Sequence, residues 1–369
     1  PISFKDVKAV NGNNTYKVVA EYNGKMGIDV SKSVWAGFDI SEPVKNLKIK
    51  TVDGNMHVKL TWEAPEKGEN GGYFNINDIS YTIWRSLSKN DFTPIATNIK
   101  DLTYTDTSIE EEVKDMQEVY YYAVTADNKA GRSKGATQFI GVGKPYTFPV
   151  DESFSNGRLN LNPWSYKNVQ GSLGWETMRS DDGGGSPQDN DRGFVKFTNK
   201  WGESCVDSRL ITPAVSMEGT TKPTFSFYMF HWEANSVASD NKQTKLMIEV
   251  APDGGDFEEP IDTFTAANDK YGWVEHRVSL EKYKNCKYIL VALRGYTNND
   301  WMCYYVDNIH FDEQKNNDLA VTAFSGPENA NINDDCAFSV TYSNRGTKSA
   351  KDYTIVPVSY THLTLPTSD

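Results

Sequence analysis

Apolar and polar residues alternate along most of this chain, and each run of alternation is cut by Gly, Asn, Asp or Pro. A period of two suits a strand with one buried face. A helix needs a repeat of about 3.6 residues, which is nearly absent here. Lys245-Leu246-Met247-Ile248-Glu249-Val250 ends in the turn Pro252-Asp253-Gly254-Gly255, and Trp273-Val274-Glu275-His276-Arg277-Val278 repeats the pattern. Thr224–Trp232 carries aromatic residues at both parities, as a strand covered on both faces would. Strands at this spacing predict an all-β chain of tandem β-sandwiches. The length of 369 residues suits roughly two to four domains.

One internal repeat is visible. Tyr16-Lys17-Val18-Val19-Ala20 recurs as Tyr122-Ala123-Val124-Thr125-Ala126, about one domain length later, and each copy runs into a polar turn containing Gly. Around the second copy lie Leu60-Thr61-Trp62-Glu63-Ala64-Pro65, Tyr81-Thr82-Ile83-Trp84-Arg85, and Ala130, Gly131 and Ser133. On these motifs residues 42–145 resemble a fibronectin type III domain. The resemblance implies a seven-stranded sandwich with Trp62 in its core and a tyrosine corner near Tyr120. Residues 1–41 read as the last strands of a preceding copy, a partial fibronectin type III domain.

Residues 146–313 open after Lys144-Pro145 and hold many further strands, which suggests a larger antiparallel jelly roll. The order of Glu152-Ser153-Phe154, Gly174-Trp175, Leu210-Ile211-Thr212-Pro213, the Phe225–Phe230 run and Val306-Asp307-Asn308-Ile309 resembles the MAM-like jelly rolls of bacterial surface proteins. It is close to their cleaved-adhesin and choice-of-anchor modules. Asn308 departs from that pattern by standing where a second Asp is usual. Residues 314–357, with Asp318–Val321 and Cys336–Tyr342 as strands, resemble the first part of a CARDB-like sandwich. Residues 358–369 look like a translated sequencing adapter and are expected to be non-native.

Formal net charge is −12, from 50 acidic and 38 basic residues. That balance argues against nucleic acid or an anionic membrane as partner. No apolar run reaches the roughly 18 residues of a membrane-spanning helix, so membrane insertion is not expected. None of Cys205, Cys286, Cys303 and Cys336 forms a C-x-x-C pair, which removes zinc-finger and thioredoxin readings. Cys286 and Cys303 flank one predicted strand and are the pair best placed for a disulfide; free buried thiols are the equal alternative. No H-x-x-x-H occurs, and the Gly-rich Asp181–Ser186 stretch lacks the Lys of a phosphate loop. A catalytic role is therefore not expected.

Two site hypotheses remain. Calcium takes six to eight oxygens, many from carboxylates in loops. First and last strands of a sandwich often pair, so Glu152 and Asp307 could meet around such an ion, with Asp191 (beside Asp189) closing the shell. The ion would tie the ends of the jelly roll together. The second hypothesis is sugar binding. Trp164, Trp175, Trp201, Trp232, Trp273 and Trp301 all fall in residues 146–313, and Trp201 and Trp301 sit in polar, turn-like surroundings. Exposed indoles there would stack on sugar rings, while Trp175 and Trp232 are expected in the core. The resemblances imply an extracellular, secreted or cell-surface region that binds a glycan or a host protein. The fibronectin domains would be spacers. The competing implication is an accessory region of a secreted peptidase or glycosidase.

Overall fold

The structure is a computed structural model. It describes residues 3–172, 174–179, 191–198, 205–233, 244–265, 267–268, 271–298, 303–327, 329, 331, 335–351 and 353–356. Antiparallel strands dominate, as the alternation predicts. Near the start, Gly12–Val18 pairs with Val30–Ala36, with the short hairpin Glu21–Tyr22 and Lys25–Met26 between them. Asn23 and Gly24 take φ of 49° and 72°, the two left-handed residues that an Asn-Gly hairpin turn requires.

Residues 45–143 form a sandwich. One sheet holds Lys45–Val52, His57–Glu63 and Thr103–Asp106. The other holds Thr93–Ile99, Ser80–Ser86, Gln117–Asn128 and Ala136–Gly143, with Gly131–Arg132 as a two-residue extension. Leaving the extension aside, three strands face four, the fibronectin type III arrangement. Val58, Leu60 and Trp62 enter the core at a period of two, and Trp62 meets Tyr81 edge-on at 5.3 Å. Burying each such side chain contributes about 1.5–3 kcal/mol. Among its buried polar residues is Asp106, fully buried, which accepts from the Tyr122 hydroxyl at 2.8 Å and from Arg85 Nη1 at 2.7 Å. The expected tyrosine corner differs in its partner. The Tyr120 hydroxyl donates to the Glu112 side chain at 2.8 Å rather than to upstream backbone, because the short Glu110–Val113 helix brings that carboxylate within reach.

Residues 150–313 form the larger sandwich. Its six-stranded sheet runs Ser165–Gln170, Val206–Ile211, Tyr288–Thr297, Lys245–Pro252, Asp262–Thr265, with Val215–Ser216 also on Tyr288–Thr297. The seven-stranded sheet places Cys303–Glu313 between Gly193–Thr198 and Pro223–Glu233, with Trp175–Arg179 and Gly272–Ser279 outside them. Phe197, Phe225, Phe227, Met229, Val306 and Phe311 pack from this sheet against Leu210, Leu246, Ile248, Val250, Val291 and Leu293 of the other. First and last strands pair: Val150 lies opposite Phe311 and Glu152 opposite Ile309. Pro223–Glu233 is covered on both faces, with Phe225, Phe227 and Met229 inside and Phe230 against Tyr305 outside.

Two further features bear on the site. Asn308 has φ of 48° and makes a bulge, so Asp307 faces Tyr228 while His310 faces Ser226. All four cysteines are free thiols. The Cys286–Cys303 bridge does not form because Tyr288–Thr297, ten residues and about 33 Å long, lies between them and sets them at opposite ends. Beyond the jelly roll, Leu319–Ser325 and Ser339–Asn344 make a two-stranded ladder.

Candidate functional site

Glu152 is 1% exposed, and its surroundings decide its role. Phe154 N–H (2.8 Å) and Asn160 Nδ2 (3.1 Å) donate to Oε1. Asn160 N–H (2.8 Å), Leu161 N–H (2.8 Å) and Trp164 Nε1 (3.2 Å) donate to Oε2. Five N–H donors use up the roughly four lone-pair sites of a carboxylate, leaving no oxygen for a cation. Glu152 instead anchors the 153–164 loop to the first strand. Asp191 does a similar job: it accepts from the Ser155 hydroxyl at 2.7 Å and from Gly193 N–H at 3.0 Å. Asp307 is fully buried and its Oδ1 accepts from Asn308 N–H at 2.8 Å.

The predicted trio is not brought together. Glu152 shares the inward face with Val150 and Ile309, whereas Asp307, next to inward-facing Val306, lies on the outward face of the same sheet. The pairing of first and last strands is as expected; the facing of the two acids is not, because strand alternation and the Asn308 bulge set them apart. Among the described residues no group of three or more His, Cys, Asp or Glu side chains could hold a metal. These residues do not fit a shared calcium ion. Trp201, Trp301, Asp189 and the Asp181–Ser186 stretch lie outside the described residues, as does the Trp232 side chain. Trp175 is in the core and donates to Ser208 C=O at 3.0 Å.

The outward face of the six-stranded sheet has a different character. Val206 and Leu210 point inward, so Asp207, Arg209 and Ile211 point out; Glu249, Ala251, Leu290 and Arg294 join them from neighbouring strands. Arg294 grips Asp207 with two parallel bonds of 2.7 and 2.6 Å, and reaches Glu249 Oε1 at 2.8 Å. Arg209 Nε donates to Glu249 Oε2 at 2.5 Å, and its guanidinium lies 5.2 Å from the Phe257 ring centre. Bidentate geometry makes these charge-assisted bonds directional as well as strong, so the face is rigid.

Arg209 stands at the edge of a groove of about 910 Å³ between this sheet and the fibronectin-like sandwich. One wall comes from Ser165, Lys167, Ile211 and the 254–257 loop; the other from Ile49, Lys50, Tyr121, Gln138 and Phe139. Tyr121 and Phe139 pair across strands at 5.7 Å. Gln117 fixes the seam by donating to Ala214 C=O and accepting from Ala214 N–H, both at 2.9 Å. Thr51 and Tyr288 hydroxyls bond at 2.6 Å, and burial pushes the Tyr288 phenol up to about 12. Gly254 has φ of 73°, and a Cβ there would stand 2.3 Å from Thr51 C=O, so this contact requires glycine. Sequence reasoning missed the groove because its walls come from segments of two units and form no contiguous motif. Lys48-Ile49-Lys50, with apolar Ile49 between two lysines, was the nearest signal.

No family model matches the chain. An amylopullulanase from Thermoanaerobacter thermohydrosulfuricus is 32% identical over 148 residues, which is 40% of this chain and 9% of that protein. Among solved structures, the K1 cleaved adhesin domain of Lys-gingipain from Porphyromonas gingivalis W83 is similar over 45% of this chain and 98% of its own, at 20% identity and TM-score 0.34. A carbohydrate-binding module of the β-sandwich superfamily covers 74% of this chain and 99% of its own, at 11% identity and TM-score 0.32. An Fn3-like protein from Clostridium thermocellum covers 26% and 86%, at 26% identity and TM-score 0.20. These scores carry no functional argument, and the assignment of the chain to β-sandwich folds of the fibronectin and jelly-roll types rests on the sheet order described above.

Proposed function

We propose that this chain is a non-catalytic, extracellular binding region of a larger bacterial protein, in which the jelly roll and its fibronectin-like neighbour hold a glycan. The observation that carries the reading is the groove of about 910 Å³, which combines aromatic rings (Tyr121, Phe139, Phe257) with polar groups fixed by the Asp207–Arg294–Glu249–Arg209 network. Aromatic faces stack on sugar C–H surfaces, and pre-set polar groups select hydroxyls without further ordering cost. Trp201 and Trp301 remain proposed contacts of the same kind. Affinity electrophoresis of the whole chain through gels carrying soluble polysaccharides tests this: retardation is expected. Free migration in every gel, together with no binding to glycans at millimolar concentration, rules the reading out.

A second reading has its own observation. The match to an amylopullulanase favours an accessory region of a secreted glycosidase whose catalytic domain lies elsewhere in the protein. The complete reading frame separates the two: a glycosidase domain in it favours the accessory role, while repeated sandwiches with a surface-anchoring signal favour an adhesin.

A further inference from the structure

Several lysines of this acidic chain pair with acids. Lys17 with Asp29, Lys45 with Glu66, Lys67 with Glu42, Lys134 with Glu69 and Lys282 with Glu258 all lie within 3.2 Å. Three lysines around the groove have no such acid. Lys50, Lys89 and Lys167 are exposed, line it from both walls, and have neither an ion-pair nor a hydrogen-bond partner among the described residues. Arg209, the fourth cation, commits only Nε to Glu249, which leaves its Nη donors to spend. The acids on the same walls are Glu118 and Asp256, and Glu118 is already occupied by Val119 N–H and Asn162 Nδ2.

From this we infer that the groove takes an anionic glycan, one whose sugars bear carboxylate or sulfate groups. Three unpaired ammonium groups facing one cleft repel each other unless an anion lies among them, and low-dielectric walls focus their field into the cleft. Arg209 offers the planar donor set that suits a carboxylate or sulfate. Tyr121, Phe139 and Phe257 supply the flat surfaces that sugar rings need between the charges. A nucleic acid fits less well, because a long phosphate backbone leaving the groove would run over a surface with a net charge of −12.

The inference rests on the glycan-binding reading, and the experiment separates the two. The whole chain is run in affinity gels carrying polygalacturonate, heparin or neutral amylopectin, beside Lys50→Gln/Lys89→Gln/Lys167→Gln and the control Lys134→Gln. The expected result is retention by an acidic polysaccharide, weakened about tenfold or more in the triple variant and by added salt, with the control unchanged. Preference for polygalacturonate or heparin distinguishes carboxylate from sulfate. Equal retention by amylopectin, unmoved by the triple variant, overturns the anionic inference and leaves glycan binding standing. Retention by single-stranded DNA as strong as by the acidic glycans also overturns it. No retention in any gel overturns both readings. The melting temperature of the triple variant, expected to match the parent, separates lost binding from lost fold.

Discussion

The two outward faces of the jelly roll are built on opposite principles. On the seven-stranded sheet Phe194, Phe230 and Tyr305 pack together with Trp273 against them, a second apolar cluster behind the main core. On the six-stranded sheet the equivalent layer is an ion network in which Glu249 is 1% exposed and Asp207 6%. Apolar packing of the first kind tolerates approximate shape. The second kind requires every charge to be answered, and in return it holds donors at fixed positions beside the groove. One sandwich thus closes one outer face with apolar packing and the other with an ordered set of charges.

The sharpest way to break this contrast is to remove one acid. Glu249→Ala leaves Arg209 without its acid and Arg294 with one fewer, and is expected to cost about 3–5 kcal/mol in urea unfolding of the jelly roll, with glycan retention lost as Arg209 moves. Phe230→Ala on the other face is expected to cost about 3 kcal/mol with retention kept, once the protein is held at a temperature where it is folded. If Phe230→Ala abolishes retention while Glu249→Ala spares it, the division of labour is reversed.

Acid sharpens the picture further. On the inner side of the seven-stranded sheet His231 Nε2 and His276 Nε2 lie 2.7 Å apart, and burial, then the neighbouring His231, holds His276 down at about 4. The unfolded ring takes a proton near pH 6.5 and the folded ring does not. Stability is therefore full above about pH 6.5, falls as the pH drops towards 4, and levels off below that. His276→Gln is expected to flatten that slope in unfolding measured between pH 7 and 4. The smallest expected effect is that of chelation: EDTA should leave the melting temperature of the jelly roll unchanged. A fall reversed by calcium would show that the Glu152 and Asp307 carboxylates rearrange around an ion.

Much of the fold was legible in residue order. Val58, Leu60 and Trp62 announce an inward face, Thr224–Trp232 a strand covered on both sides, and Val150–Glu152 pairs with the last strand as sandwich logic suggests. The site was far less legible. Glu152 looks in sequence like any acid beside a strand; only folding brings five N–H groups to it. A single left-handed residue, Asn308, shifts the facing of its strand, and periodicity alone does not reveal such an insertion. Lys50 and Lys89 come from one unit and Lys167 from the other, so all three line one groove only where the two units meet.

That docking has an evolutionary corollary. Sandwich units spread between proteins by recombination, each carrying its own core and surviving the move. A groove with one wall in each unit does not travel that way. Replacing either neighbour with another sandwich would leave two intact folds and erase the groove, since Gln117–Ala214 and Thr51–Tyr288 are bonds between units rather than within one. Under the proposed function, the heritable binding element is the pair, and selection on binding would act to keep the two side by side.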